Sequence, residues 1–230
     1  MDADFNYVWP VEDPVIYHNF DGKNVDLYKE IYGALSQNSD NPYSRISIAN
    51  STISIDPTRG CPLGCAYCVS GSCIRNINKE NLKNNDFSKV FITKPEMIFD
   101  GVTLVHHLVR HPAFIKDKTV ISLCTSTSEP FFGINSEITW SVLKYIADHG
   151  YKNPFWLVTK FGFTESEIGL WVSRFKYLSK KGNKIILSIS WSNLPKDIEP
   201  FTNDRFKHIH SLKGIPNLHI SHHFRPIING

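Results

Sequence analysis

From residue 51 onward the chain alternates two hydrophobic periods, and that alternation restricts its folding more than any other feature. Short apolar runs appear at Ser51–Ile55, Thr119–Cys124, Phe155–Val158, Ile185–Ser190 and Leu218–Phe224. Between them lie stretches whose apolar residues recur at helical spacing. Met97, Leu104, Val105 and Leu108 form one such face, Ile138, Val142, Tyr145 and Ile146 a second. Ile168, Trp171, Val172, Phe175 and Leu178 form the third and most regular, and Phe206, Ile209 and Leu212 a short fourth. Strands of this length separated by helices imply parallel βαβ units, and near-continuous apolar strands imply a sheet covered on both faces.

Local signals place the helix starts. Thr93-Lys94-Pro95-Glu96 and Thr164-Glu165-Ser166-Glu167 both have capping-box spacing, the first with a proline in its opening turn. The predicted fold class is therefore α/β, with five visible strands assembled as a partial (β/α) barrel over residues 51–230. Residues 1–50 are aromatic- and Asn-rich with little periodicity and read as an N-terminal extension. Asn76–Asp86 reads as an exposed polar loop. The fifth strand lacks a following helix, so the reading expects a core incomplete at its C-terminus.

The chain has 230 residues, 41% hydrophobic and 20% charged, which suits a packed domain and excludes a disordered one. A formal charge of +3 is too small to name a nucleic-acid partner. No apolar run is long enough to span a bilayer, and the acidic start Met1-Asp2-Ala3-Asp4 lacks a signal-peptide layout. Five cysteines, three of them clustered, argue against a disulfide framework and for a reducing compartment, which the reading takes as the cytoplasm.

The cluster is Cys61-Pro62-Leu63-Gly64-Cys65-Ala66-Tyr67-Cys68, a C-x3-C-x2-C loop just after the first strand. Three thiolates turned toward one point select zinc, Cu(I) or an iron–sulfur cluster. Structural zinc sites close with four ligands, usually as two separated pairs. Three close cysteines without a second pair point instead to a cluster with one open iron. Cys73 lies near enough in sequence to be a fourth ligand. In that case the chain would be an iron–sulfur electron carrier or redox sensor, and with zinc it would be a binding module.

The motif resembles the signature of the radical S-adenosylmethionine superfamily, including the aromatic Tyr67 before the last cysteine. The resemblance implies that Cys61, Cys65 and Cys68 hold a [4Fe-4S] cluster whose open iron takes S-adenosylmethionine. It implies reductive cleavage to a 5′-deoxyadenosyl radical that abstracts hydrogen from a substrate, with electrons from a low-potential flavodoxin- or ferredoxin-type donor. It also implies the partial-barrel fold already expected, with the site at the C-terminal strand ends.

Segments at the later strand ends are similar to those of the spore photoproduct lyase branch. They are Cys124-Thr125-Ser126, Val158-Thr159-Lys160 and the Ser188-Ile189 pair. By that likeness Ser126, Lys160 and Ser188 contact the cofactor; the superfamily motif adds Tyr67 to the cofactor site, and Glu129-Pro130 can alternatively be read as the end of the superfamily's Gly-Gly-Glu-Pro-like segment, with Glu129 taking the cofactor's amino group. Cys124 takes the place of a hydrogen-donating thiol, and DNA is among the substrates implied. The chain departs from the lyase at Val69, where the lyase has a tyrosine of its hydrogen relay, which weighs against thymine-dimer repair.

Simpler readings stand beside these. Cys124 ends an apolar strand and can be a small buried hydrophobe. Lys160 can be a solvated charge, and Glu129 a helix-start carboxylate. The pairs His106-His107 and His222-His223 have neighbours pointing different ways, which suits surface or packed histidine better than metal ligation. Lys176, Lys180, Lys181 and Lys184 read as a solvated helix end.

Overall fold

The computed structural model describes residues 41–49, 52–61, 63, 95–125, 128–191, 207 and 209–224. Its centre is a six-stranded, mostly parallel sheet. A 3-10 turn, Pro42–Arg45, leads into β1 (Ile46–Ala49), which pairs antiparallel with β2 (Thr52–Ile55). A two-strand ribbon follows, β3 (Thr58–Arg59) against β4 (Glu96–Met97), and then α1 (Gly101–Arg110). The rest alternates as β5 (Val120–Leu123), α2 (Ile134–Asp148), β6 (Phe155–Thr159), α3 (Glu165–Lys181), β7 (Ile185–Trp191), a 3-10 turn at Ile209–Leu212, and β8 (Leu218–Phe224).

Strand order is β1-β2-β5-β6-β7-β8, with every pair after the first parallel. Each crossover steps one place in the same direction, so there is no point at which the order reverses, unlike a doubly wound sheet. Crossovers of constant hand then lay their helices on one face. Consecutive helices do pack on each other, α1 on α2 and α2 on α3.

That face holds the core. Ile53, Ile55, Ile121, Leu123, Phe155, Leu157, Ile185, Leu187 and Ile189 are buried with Leu104, Leu108, Val142, Ile146, Trp171, Phe175 and Leu178 of the helices. At about 25 cal/mol per Å² of apolar surface removed from water, this layer is the main source of stability. Two glycines are fixed by geometry. A Cβ on Gly101 would lie 2.2 Å from Val142 Cγ2, so α1 can approach α2 only without a side chain there. Gly182 ends α3 at φ +94°, in the left-handed region, and its N–H caps Leu178 and Ser179 carbonyls.

The five expected strands all form, with ends shifted by a residue or so. α3 starts where its capping box predicts: the Thr164 side chain accepts from Glu167 N–H, and Glu167 Oε2 accepts from Thr164 N–H at 2.8 Å. Two expectations need correction. The sheet has six strands, because β1 joins it from within the stretch read as an extension. Ile46-Ser47-Ile48-Ala49 pairs antiparallel with β2 with no helix between them, so it falls outside the strand–helix alternation on which the reading relied.

The other correction concerns α1. Its helix starts at Gly101, capped by Asp100, which accepts from Thr103 N–H at 2.9 Å. Glu96–Met97 is extended instead: Ile98 and Phe99 N–H groups donate to Pro57 O, and Glu96 pairs with Arg59 at 2.9 Å. Met97 consequently lies exposed, while Leu104, Val105 and Leu108 are buried as their spacing predicts. The predicted loop 76–86, residues Thr93 and Lys94, and Phe206 lie outside the described residues.

Candidate functional site

Parallel strands align their carbonyl-terminal ends along one rim, and the chemistry-bearing residues gather there. β2 ends in Ile55-Asp56, β5 in Leu123-Cys124, and β6 in Thr159-Lys160. Cys124 joins the first two ends: its N–H donates to Ile55 O at 3.1 Å. Its backbone turns to φ +57°, a left-handed conformation that a residue bearing a Cβ adopts only when its surroundings impose it. The imposed turn lifts the chain out of the strand and into the Thr125–Pro130 loop. Ser128 N–H donates back to Cys124 O at 3.2 Å.

Ser128 also ties this loop to the cysteine motif. Its hydroxyl donates to Gly60 O at 2.6 Å and accepts from Asn135 Nδ2 at 2.6 Å. Gly60 immediately precedes Cys61, so the start of the motif is fastened to the β5 loop. Cys61 is half-buried there, and neither it nor Cys124 is in a disulfide.

Cys124 is 2% exposed. Burial pushes its thiol well above the ordinary thiol range, because a thiolate would lose its hydration. The Asp56 carboxylate pushes the same way, the Thr58 hydroxyl opposes in part, and Glu129 and Cys61 add smaller upward pushes. Among the described residues Thr58 Oγ1 has no hydrogen-bond partner, so its contact with the sulfur is a weak one. At neutral pH Cys124 is therefore S–H.

Glu129 is 4% exposed, and its carboxylate faces the end of β6. One oxygen accepts from Thr159 Oγ1 at 2.5 Å and the other from Lys160 N–H at 2.9 Å. Thr159 Oγ1 accepts in turn from Phe161 N–H at 2.9 Å. Glu129 thus acts as a tie between the β5 loop and β6, a role its sequence position near a helix start does not suggest. Lys160 is half-buried at the same end.

Ser188 lies inside β7, not at its tip. It is 1% exposed, accepts from Trp156 Nε1 at 2.9 Å, and shares a 2.6 Å hydrogen bond with Ser221 of β8. The rim therefore brings together Cys61, Cys124, Glu129 and Lys160, with Ser188 deeper on the sheet. Cys65, Tyr67, Cys68, Cys73 and Ser126 lie outside the described residues. Among the described residues no three His, Cys, Asp or Glu side chains are grouped as metal ligands. The paired histidines pack separately: His106 hydrogen-bonds Tyr145 at 3.2 Å, while His107 meets Thr103 O at 2.9 Å and the Tyr43 ring edge.

Sequence reasoning missed Asp56, Thr58, Ser128 and Asn135. Asp56 had a usable signal, a carboxylate directly after an apolar strand; buried without any exposure, it lies at the rim like the residues that were found. Ser128 and Asn135 gave none, since their role lies in contacts between loops far apart in sequence.

Comparison of the chain with protein-family models, with curated proteins and with solved structures finds no match. Among the described residues no helix is long and apolar enough to cross a membrane.

Proposed function

We propose that the chain is a radical S-adenosylmethionine enzyme whose reactive centre lies at this rim. The observation that carries the reading is the position of Cys61. The first cysteine of a C-x3-C-x2-C motif sits at the carbonyl-terminal edge of a sequentially ordered parallel sheet, fastened beside a buried, protonated Cys124.

The donor chemistry fits the group. Cys61, Cys65 and Cys68 are soft ligands that would hold a [4Fe-4S] cluster, with one iron left for S-adenosylmethionine. The bound cluster supplies one electron for reductive cleavage of the sulfonium, drawn from a low-potential flavodoxin- or ferredoxin-type donor. The protein's own residues hold and orient. The Gly60–Ser128 bond fixes where the motif begins, and Glu129 fixes the end of β6 that carries Lys160. Tyr67, Ser126, Lys160 and Ser188 are the cofactor contacts the resemblance implies; Ser188 acts through Trp156 and Ser221, which occupy its hydroxyl.

Cys124 keeps its proton because burial and two carboxylates disfavour the thiolate, and a protonated thiol is the form that can give up a hydrogen atom. In that step the S–H bond breaks, a C–H bond forms on a substrate radical, and a thiyl radical remains.

The test is anaerobic reconstitution followed by iron and sulfide analysis, electron paramagnetic resonance and product chromatography. About four irons per chain, a spectrum that changes with S-adenosylmethionine, and 5′-deoxyadenosine formed with a strong reductant are expected. Loss of the cluster in Cys61→Ala and its retention in Cys73→Ala complete the pattern. Tightly bound zinc in place of iron, or a cluster that disappears with Cys73, overturns the reading.

A further inference from the structure

The peptide bond between Gly60 and Cys61 is held from two sides. On one side β3 ends at Arg59, whose side chain pairs with Glu96 of β4 at 2.9 Å. On the other, Gly60 O accepts from the Ser128 hydroxyl at 2.6 Å. Gly60 turns at φ +86°, in the left-handed region, so the chain leaves the ribbon here at a residue that carries no steric penalty. A peptide unit is planar, and a bond that holds its carbonyl oxygen also restrains where the Cα of Cys61 lies.

The bond has a fixed direction. Asn135 Nδ2 lies 2.9 Å from Glu129 O and 2.6 Å from Ser128 Oγ. A carbonyl only accepts, so the atom facing Glu129 O is the amide nitrogen, and that nitrogen can only donate to Ser128. The Ser128 hydroxyl therefore turns its proton toward Gly60 O. Hydrogen bonds in series polarise one another, so Asn135 strengthens the bond that holds Gly60. Ser128 also donates its backbone N–H to Cys124 O at 3.2 Å. One residue thus ties the peptide before Cys61 to the residue that carries the buried thiol.

Asn135 gains little for packing by this arrangement. It is 0% exposed at the start of α2, and its Oδ1 has no hydrogen-bond partner. A buried acceptor left open costs stability, and an apolar residue of similar size would fill the space without that cost. The amide is held in the orientation that serves Ser128 and Glu129.

We propose that Ser128 and Asn135 are positioning residues for Cys61. Asn135 orients the Ser128 hydroxyl, and Ser128 holds the first cluster ligand through the carbonyl of the peptide bond before it. The proposal rests on the reading of Cys61 as a cluster ligand and adds how the chain sets that ligand in place. Both residues act through Cys61, and neither is a catalytic residue.

The full chain, reconstituted anaerobically, provides three readouts for each variant. They are iron release to the ferrous chelator bathophenanthroline disulfonate, the reduction potential from a titration followed by electron paramagnetic resonance, and the urea midpoint. Ser128→Ala should release iron about fivefold to tenfold faster and shift the potential, because hydrogen bonds behind metal ligands restrain and tune them. Ser128→Thr keeps the hydroxyl and should stay within about twofold of wild type. Asn135→Ala should resemble Ser128→Ala, and the double variant should be no worse than the worse single one, since both act on one bond. Ser128 is half-buried, so its alanine variant decides the matter if the fully buried Asn135→Ala does not fold. Asp148→Asn, at the far end of α2, should lower the urea midpoint and leave iron release and potential unchanged. Unchanged release and potential in Ser128→Ala, or release that follows the urea midpoint across all variants, Asp148→Asn included, overturns the positioning role. Wild type that takes up no iron refutes the enzyme reading and this inference with it. Wild type whose cluster is indifferent to Ser128→Ala refutes the inference alone.

Discussion

Replacing Glu129 separates its structural from its chemical work. The buried carboxylate accepts from Thr159 Oγ1 and from Lys160 N–H. In Glu129→Ala both donors lose their acceptor in a region sealed from solvent. A buried donor without a partner costs about 1–3 kcal/mol, so the two together cost about 2–6 kcal/mol, with the lower end applying if water enters the gap. In Glu129→Gln the amide oxygen still accepts from Lys160 N–H, and the amide N–H can donate to Thr159 Oγ1. Both charge-assisted bonds become neutral ones, at about 0.5–1 kcal/mol each. Urea unfolding followed by circular dichroism should therefore rank wild type, Gln and Ala in that order with clear gaps. Cofactor affinity of the reconstituted protein gives the second readout. If the carboxylate also takes the amino group of S-adenosylmethionine, the Gln variant loses affinity well beyond its small loss of stability. If Glu129 only ties β5 to β6, affinity follows stability. An Ala variant within about 0.5 kcal/mol of wild type would refute the tie itself, because surface substitutions commonly fall in that range.

Three further outcomes follow from the same bonding. Asn153 is wholly buried; its Nδ2 donates to Ile115 O and Thr119 O, and its Oδ1 accepts from Asp117 N–H. Asn153→Ala should cost about 3 kcal/mol or more, read as a lowered urea midpoint with unchanged slope. Thr164→Ala removes one half of the α3 capping box and should cost about 1 kcal/mol, whereas Thr164→Ser should cost a few tenths. Asp148 receives Lys144, Tyr177 and Lys181, and hydrogen bonds from these three, Lys144 first, hold its carboxyl below the ordinary carboxylate range. A lowered folded pKa stabilises above the unfolded value and is lost as pH falls through the folded one, so the wild-type advantage over Asp148→Asn should be full near neutrality. It should shrink on acidification below about pH 4, and with added salt because the group is largely exposed.

The parallel part of the fold was legible because its signals are local and repeated. Each of β2, β5, β6, β7 and β8 is a compact apolar run, and α3 announces both its ends with Thr164-x-x-Glu167 and Gly182. The errors share a cause. β1 is a short strand joined to β2 antiparallel without an intervening helix, so the strand–helix alternation gives no sign of it. At Thr93-Lys94-Pro95-Glu96 the capping-box spacing competes with an extended pairing, since Glu96 finds Arg59 and the following N–H groups find Pro57 O. A local propensity worth about 1 kcal/mol yields to several tertiary bonds.

At the candidate site the same division runs between residue type and residue partnership. Cys61, Cys124, Glu129 and Lys160 could be picked out because parallel strands deliver their ends to one rim, and that rule needs only strand boundaries. What each does depends on partners the sequence does not name. Glu129 looks like a ligand-facing carboxylate until Thr159 and Lys160 are seen to take both its oxygens. Ser188 looks like a cofactor contact until Trp156 and Ser221 are seen to hold its hydroxyl. Among the described residues Ser122, which no motif marks, is a buried hydroxyl without a hydrogen-bond partner, as is Thr58. Hydroxyls already committed to protein neighbours orient those neighbours, whereas a sealed one without a partner costs stability. On that argument Ser188 orients Trp156 and Ser221, a structural task that motif likeness does not indicate.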